Sequence, residues 1–130
     1  MSNPQPRVSL IATVKNEADN IAALLDSMLG QTQPPDEIVI NDNHSSDATP
    51  AIVERYIAQG HPIRLVKGGH NIPSGRNNAI RHARGSVIAS CDAGLTLPPH
   101  WLTAITAPLL NGHADIVGGF YVPDARSPSA

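Results

Sequence analysis

Three short polar stretches each close an apolar run. They are Thr13-Val14-Lys15-Asn16-Glu17, Asn41-Asp42-Asn43-His44 and Cys91-Asp92-Ala93-Gly94. Their side chains suit ligand chemistry. An ionised carboxylate only accepts hydrogen bonds, so Asp42, like the amide oxygen of Asn43, fits a ribose hydroxyl or a base N–H. A carboxylate repels a phosphate unless a cation lies between them. A hard divalent ion would reconcile Asp92 with a diphosphate, since Mg²⁺ takes one or two carboxylates plus phosphate oxygens. Asp92 also ends a stretch, VIASC, that reads as a buried strand, where an unpartnered carboxylate is costly. The plainer reading of both acids is a turn or a cap.

The elements that carry these stretches alternate. Apolar runs predict strands at Val8–Thr13, Glu37–Asn41, Ile63–Lys67, Val87–Cys91 and Ile116–Val122. Helical spacing of apolar residues predicts helices through Ile21–Leu29, from Thr49-Pro50 to Gly60, over Ser74–Arg84 and over Pro99–Leu110. Asn16, with Asp19 three residues on, is expected to cap the first helix, and Asp47 and Thr49 the second. Strand and helix in alternation give an α/β, mostly parallel sheet covered on both faces. Right-handed crossovers favour the order 3-2-1-4, which reverses between strands one and four. Ligands in such sheets bind beyond the carboxyl ends of the strands at that reversal. All three polar stretches should therefore face one crevice.

Composition narrows the partners. The 130 residues suit one domain. Only 3% are aromatic and the nine Lys and Arg are scattered, which argues against a nucleic-acid surface. No apolar run is long enough to span a bilayer, and the polar start, MSNPQPR, has no leader pattern. The single cysteine, Cys91, fits a reducing, cytoplasmic setting. No G-x-x-x-x-G-K-[ST] or G-x-G-x-x-G follows a strand, so the usual nucleotide loops are excluded.

Four blocks, in order, carry a resemblance: VSLIATVKNEADNIAALLDSM, QPPDEIVINDNHSSDAT, NIPSGRNNAIRHARG and VIASCDAGLTLPPHWL. The chain resembles the family-two glycosyltransferases from Val8 to about Tyr121. The resemblance implies a three-layer, Rossmann-like GT-A fold, C-terminally truncated, with a nucleotide-sugar-binding domain over residues 8–122. Residues 1–7 and 123–130 are expected to be a flexible lead and a disordered tail. A nucleoside diphosphate sugar is the implied partner and a divalent metal, Mg or Mn, the implied cofactor. By the same resemblance Asn16 and Glu17 lie beside the nucleotide, and Thr13 and Val14, from the same strand end, are expected at the site with them. Asp42 and Asn43 stand where the family has Asp-Asp, with His44 in the place of its glycine. Arg76 matches the family's arginine, which an ordinary first-turn helix residue also explains. Asp92-Ala93-Gly94 matches Asp-x-Asp without its last acid, leaving Asp92 as the metal ligand and Ala93 and Gly94 beside the sugar.

Transfer with inversion needs a general base, which the family carries after the fifth strand. The base is therefore expected beyond the chain end, and an edge near Phe120–Val122 is expected to invite self-association. Two other readings compete: a non-catalytic nucleotide-sugar-binding module, and a signalling domain with Asp42 as phosphoacceptor. Lys15 reads as solvated, Cys91 as a small buried apolar residue, Trp101 as core, and most of the six histidines as surface residues.

Overall fold

The structure, a computed structural model, describes residues 7–110. The elements follow the expected alternation: β1 (Val8–Val14), α1 (Ile21–Leu29), β2 (Glu37–Asp42), α2 (Thr49–Ala58), β3 (Ile63–Lys67), α3 (Ile72–His82), β4 (Val87–Ser90) and α4 (Trp101–Leu110). The four strands are parallel in the order β3-β2-β1-β4. Every strand therefore ends on the same side. Thr13 pairs with Asn41 and Val14 with Asp42, which brings the ends of β1 and β2 level.

Alternate strand residues feed two cores. Leu10, Ala12, Val14, Ile38, Ile40 and Ala89 pack with Ile21, Leu24, Leu25 and Met28 of α1, Val53 of α2, and Trp101 and Leu102 of α4. The four α1 residues repeat at helical spacing and are fully buried, so one side of that helix is dry. Ile11 and Val39 face the other way, against Ala79 of α3. The sheet is thus the middle of three layers.

The ends of the elements depart from expectation where partners outside the local sequence decide. Asn16 does not cap α1, because the helix begins at Ile21 behind Asn20, which makes no side-chain cap bond. Ala48, not Thr49, precedes α2, although Asp47 Oδ1 accepts the Thr49 N–H at 2.9 Å. The α3 helix starts two residues early, at Ile72, because Asn71 and Ser74 form a capping box. β4 stops at Ser90 and α4 starts at Trp101. Arg7, expected in the flexible lead, accepts the Val87 N–H on its carbonyl at 3.1 Å and so extends the sheet. The fifth strand, the tail, the rest of the lead and the edge near Phe120–Val122 lie outside the described residues. Among the described residues no helix is long and apolar enough to cross a membrane.

Candidate nucleotide site at the strand ends

A cavity of about 440 Å³ opens at the carboxyl ends of the strands, where the order reverses between β1 and β4. Thr13, Val14 and Glu17 reach it from the end of β1, and Asn43 from the end of β2. Arg76 comes from the first turns of α3, and Asp92 and Ala93 from the loop after β4. Seven of the ten residues expected at the site therefore meet around one space. Lys15, Ile72 and Cys91 also line it. Lys15 lies in the crevice loop and is exposed, as a solvated lysine there would be. Ile72 could have been suspected from Asn-Ile-Pro-Ser, an apolar residue in a helix start, where polar residues are usual.

The other three expected residues do not line the cavity. Asn16 serves the loops instead. Its side-chain oxygen accepts the Ser46 N–H, and its own N–H reaches the Ser45 hydroxyl, both at 2.8 Å. Beside it the Glu17 N–H donates to the Thr49 hydroxyl at 2.8 Å, and the Ala18 N–H to Asp47 at 3.2 Å. The serines, Asp47 and Thr49 of the second block thus hold the loop of the first. Asp47 is held below the usual carboxylate range, first by the Thr49 hydroxyl and then by the Thr49 N–H.

Gly94 turns the chain behind Ala93 with φ +82°, a conformation that suits glycine. A Cβ there would make ordinary contact with Glu17 Oε1 at 3.8 Å, so the backbone angle explains this glycine better than lack of space does. The acid missing from Asp-x-Asp is missing at a position where a side chain would be strained.

Asp42 lies behind the wall, 2% exposed. One carboxylate oxygen accepts the Ser45 N–H at 3.1 Å, and the other is buried without a hydrogen-bond partner. A phosphoacceptor must be reachable, so this burial counts against the signalling reading. Arg64 Nε and Trp101 Nε1 are buried without a partner too, so the orphan oxygen does not by itself mark a ligand. His44, two residues on, lies in the left-handed region, φ +60°.

Asp92 answers differently from its place in the sequence. It is exposed, so the desolvation cost expected of an acid ending a buried strand does not arise. Its neighbour Cys91 is buried, and burial, with a smaller contribution from the Asp92 charge, pushes its thiol up to about 12. That thiol is inert wall. The cavity holds two cations, Lys15 and Arg76, and two carboxylates, Glu17 and Asp92, yet the one ion pair among the described residues is Arg64–Glu37, elsewhere. Four charges face one space without pairing.

An amide network carries this wall. Asn41 donates to the Thr13 hydroxyl at 3.0 Å and to the Gly68 carbonyl at 2.9 Å, and accepts from Asn78 of α3 at 2.7 Å. Gly75 lets α3 approach. A Cβ there would collide with Thr13 Oγ1 and lie 2.9 Å from Asn41 Nδ2.

The family model for glycosyl transferase family 2 matches residues 9–128. The chain is 28% identical over 123 residues to glycosyltransferase AglE of Haloferax volcanii, covering 92% of this chain and 40% of that protein. It is similar to the mannosyltransferase PcManGT of Pyrobaculum calidifontis, solved in complex with GDP-Man and Mn²⁺. The TM-score is 0.65 at 33% identity, over 73% of this chain and 29% of that one. It is also similar to residues 1–349 of S. aureus TarS in complex with UDP-GlcNAc, with TM-score 0.71 at 26% identity, over 91% and 37%. The chain spans between 28% and 40% of the length of three curated relatives that it matches.

Proposed function

The chain belongs to glycosyl transferase family 2, and from that premise we propose that it binds the donor, a nucleoside diphosphate sugar, for transfer to an acceptor with inversion. What carries the reading is the cavity at the strand reversal, with both signs of charge unpaired around it. In the reaction the acceptor oxygen bonds to the anomeric carbon, and the bond to the diphosphate breaks with its electron pair. The acceptor proton passes to a general base, a role that falls to residues outside the described ones.

Each wall residue has a part. Lys15 and Arg76 oppose the negative charge of the diphosphate. Asn43 accepts from the ribose or the base, with Asp42 buried behind it. Thr13 and Val14 form the floor, and Ala93 leaves room for the sugar. A divalent cation fits the donor set in one way only. Among the described residues no group of three His, Cys, Asp or Glu could hold a metal alone. Asp92, exposed at the cavity that Glu17 also lines, would be the residue to hold an Mg²⁺ or Mn²⁺ ion together with the bound diphosphate. When bound, such an ion supplies charge neutralisation of the leaving diphosphate. A buried free thiol agrees with a reducing compartment, which supports a cytoplasmic site of action.

Thermal unfolding with ADP, CDP, GDP, UDP and dTDP, each with Mn²⁺, Mg²⁺ or EDTA, tests the reading. One diphosphate is expected to stabilise the protein in a metal-dependent manner, by ~2.7 kcal/mol at a hundred times its dissociation constant. No stabilisation by any diphosphate, with or without metal, would overturn it.

A further inference from the structure

We propose that Ile72 is the surface on which the flat base of the nucleotide packs, an aliphatic ledge where an aromatic stack would otherwise serve. The inference rests on the cavity being the nucleotide site, and names how that site takes hold of the base.

Ile72 is 60% exposed and is the one large hydrophobic residue exposed among the described residues. Single exposed apolar residues need no explanation when scattered. This one lines the cavity. The rest of the lining offers little apolar surface to a ligand. Val14 and Cys91 are 2% and 3% exposed, and Ala93 is small. A nucleotide brings one apolar, planar part and two charged or polar ones. Lys15, Arg76, Glu17 and Asp92 suit the charged parts. Only Ile72 offers a broad apolar contact to the planar one.

No aromatic side chain among the described residues competes for that role. Tyr56 of α2 donates its hydroxyl to Asp26 at 2.8 Å, outside the cavity, and Trp101 is 6% exposed in the core. The ledge is also fixed in place. The Asn71–Ser74 capping box closes the turn that carries it, with Ser74 N–H to Asn71 Oδ1 at 2.8 Å. Pro73 stiffens the same turn. Gly75 presses that turn against Thr13, the floor of the cavity. A side chain held in this way loses little freedom when a ligand covers it. Ile72 and Arg76 stand one helical turn apart, so they face the ligand together.

The test is the affinity, by titration calorimetry in Mn²⁺, of whichever of ADP, CDP, GDP, UDP and dTDP binds the parent most tightly. Ile72→Ser is expected to weaken it about tenfold. Ile72→Tyr is expected to tighten it at least about fivefold, since an aromatic ring stacks better on a base. Neither substitution should change the ligand-free melting temperature, because the side chain is exposed. The tightening is a readout that damage to the fold cannot mimic. Affinities of both variants within twofold of the parent would overturn the proposal. So would an effect confined to the corresponding nucleotide sugar, which would move Ile72 to the sugar. If the parent binds none of the diphosphates, the site reading itself fails, and this inference with it.

Discussion

At the amino end of the sheet Glu37 accepts from the Ser9 hydroxyl at 2.6 Å, the Arg84 N–H at 2.5 Å and Arg64 at 3.3 Å. At the carboxyl end Asp42 keeps one buried oxygen without a partner, and Lys15, Arg76, Glu17 and Asp92 share a cavity without pairing. Both ends are polar. At the amino end the carboxylates find internal partners, although Arg64 Nε is itself buried without one: Ser9 also takes the Gly85 N–H at 2.8 Å, Arg64 also bonds the His82 carbonyl, and Asp36 holds the Val8 N–H at 2.6 Å. A polar cluster at a strand end is therefore weak evidence of a site. Charges of both signs gathered unpaired around one cavity are stronger evidence, because such crowding is tolerated when something else completes it.

Removing the central acid of the closed end should have the largest effect on the fold and none on the ligand. Glu37→Ala leaves the Ser9 hydroxyl, the Arg84 N–H and the Arg64 guanidinium without their acceptor. Urea unfolding is expected to show a loss of about 2–3 kcal/mol. Calorimetry on the folded variant should return the parent's affinity for nucleoside diphosphate. A weaker ligand affinity with unchanged stability would reverse the assignment of the two ends.

The mirror experiment is Asp92→Asn at the open end. Its side chain is exposed and outside the internal ion pairing, so stability without ligand should stay within about 0.5 kcal/mol of the parent. The metal-dependent part of the stabilisation by nucleotide should disappear, leaving whatever binding Lys15 and Arg76 support in EDTA. Identical ligand curves for variant and parent, in Mn²⁺ and in EDTA alike, would remove Asp92 from the metal.

The pH dependence separates the ends further. Burial alone would raise the Glu37 carboxyl, but the Arg84 N–H, the Ser9 hydroxyl and Arg64 outweigh it and hold it below the ordinary carboxylate value of 4.5. Its contribution is then fully present above that value and is lost as the pH falls through the lowered one. Urea midpoints measured between neutral pH and about pH 3 should fall more steeply in the parent than in Glu37→Gln. Parallel curves would mean that the amino-end cluster does not favour the ionised acid.

The layer order and the place of the site were legible because they follow from local pattern. VSLIAT, EIVIN, IRLVK and VIASC alternate with residues at helical spacing, and right-handed crossovers leave the strand order little freedom. The roles within the loops were less legible. Asn16 has the composition of a cap, but its partners, Ser45 and Ser46, lie 29 and 30 residues on. Glu37 is an ordinary strand residue until Arg64 and Arg84, 27 and 47 residues away, close on it. Asp42 and Asn43 are neighbours, yet strand alternation puts one behind the wall and the other on it. Ile72 joins the site through a direction that no spacing encodes.

The smallest effect concerns His44, two residues after Asp42, in a conformation that costs a side chain free energy. Its φ of +60° places it in the left-handed region, which a residue bearing a Cβ enters at a cost of roughly 1–2 kcal/mol. Glycine would remove that cost, but it also loosens the unfolded chain, which offsets ~0.4–1 kcal/mol. His44→Gly should therefore stabilise the ligand-free protein by about 0.5–1 kcal/mol in urea unfolding. The residue is exposed and lies off the cavity wall, so nucleotide affinity should hold within twofold. The strain then belongs to the loop and can be released without touching the site. A loss of affinity together with the gain in stability would mean the opposite: the strained turn holds Asp42 and Asn43 ready for the ligand, and the open end spends stability on binding as the closed end does not.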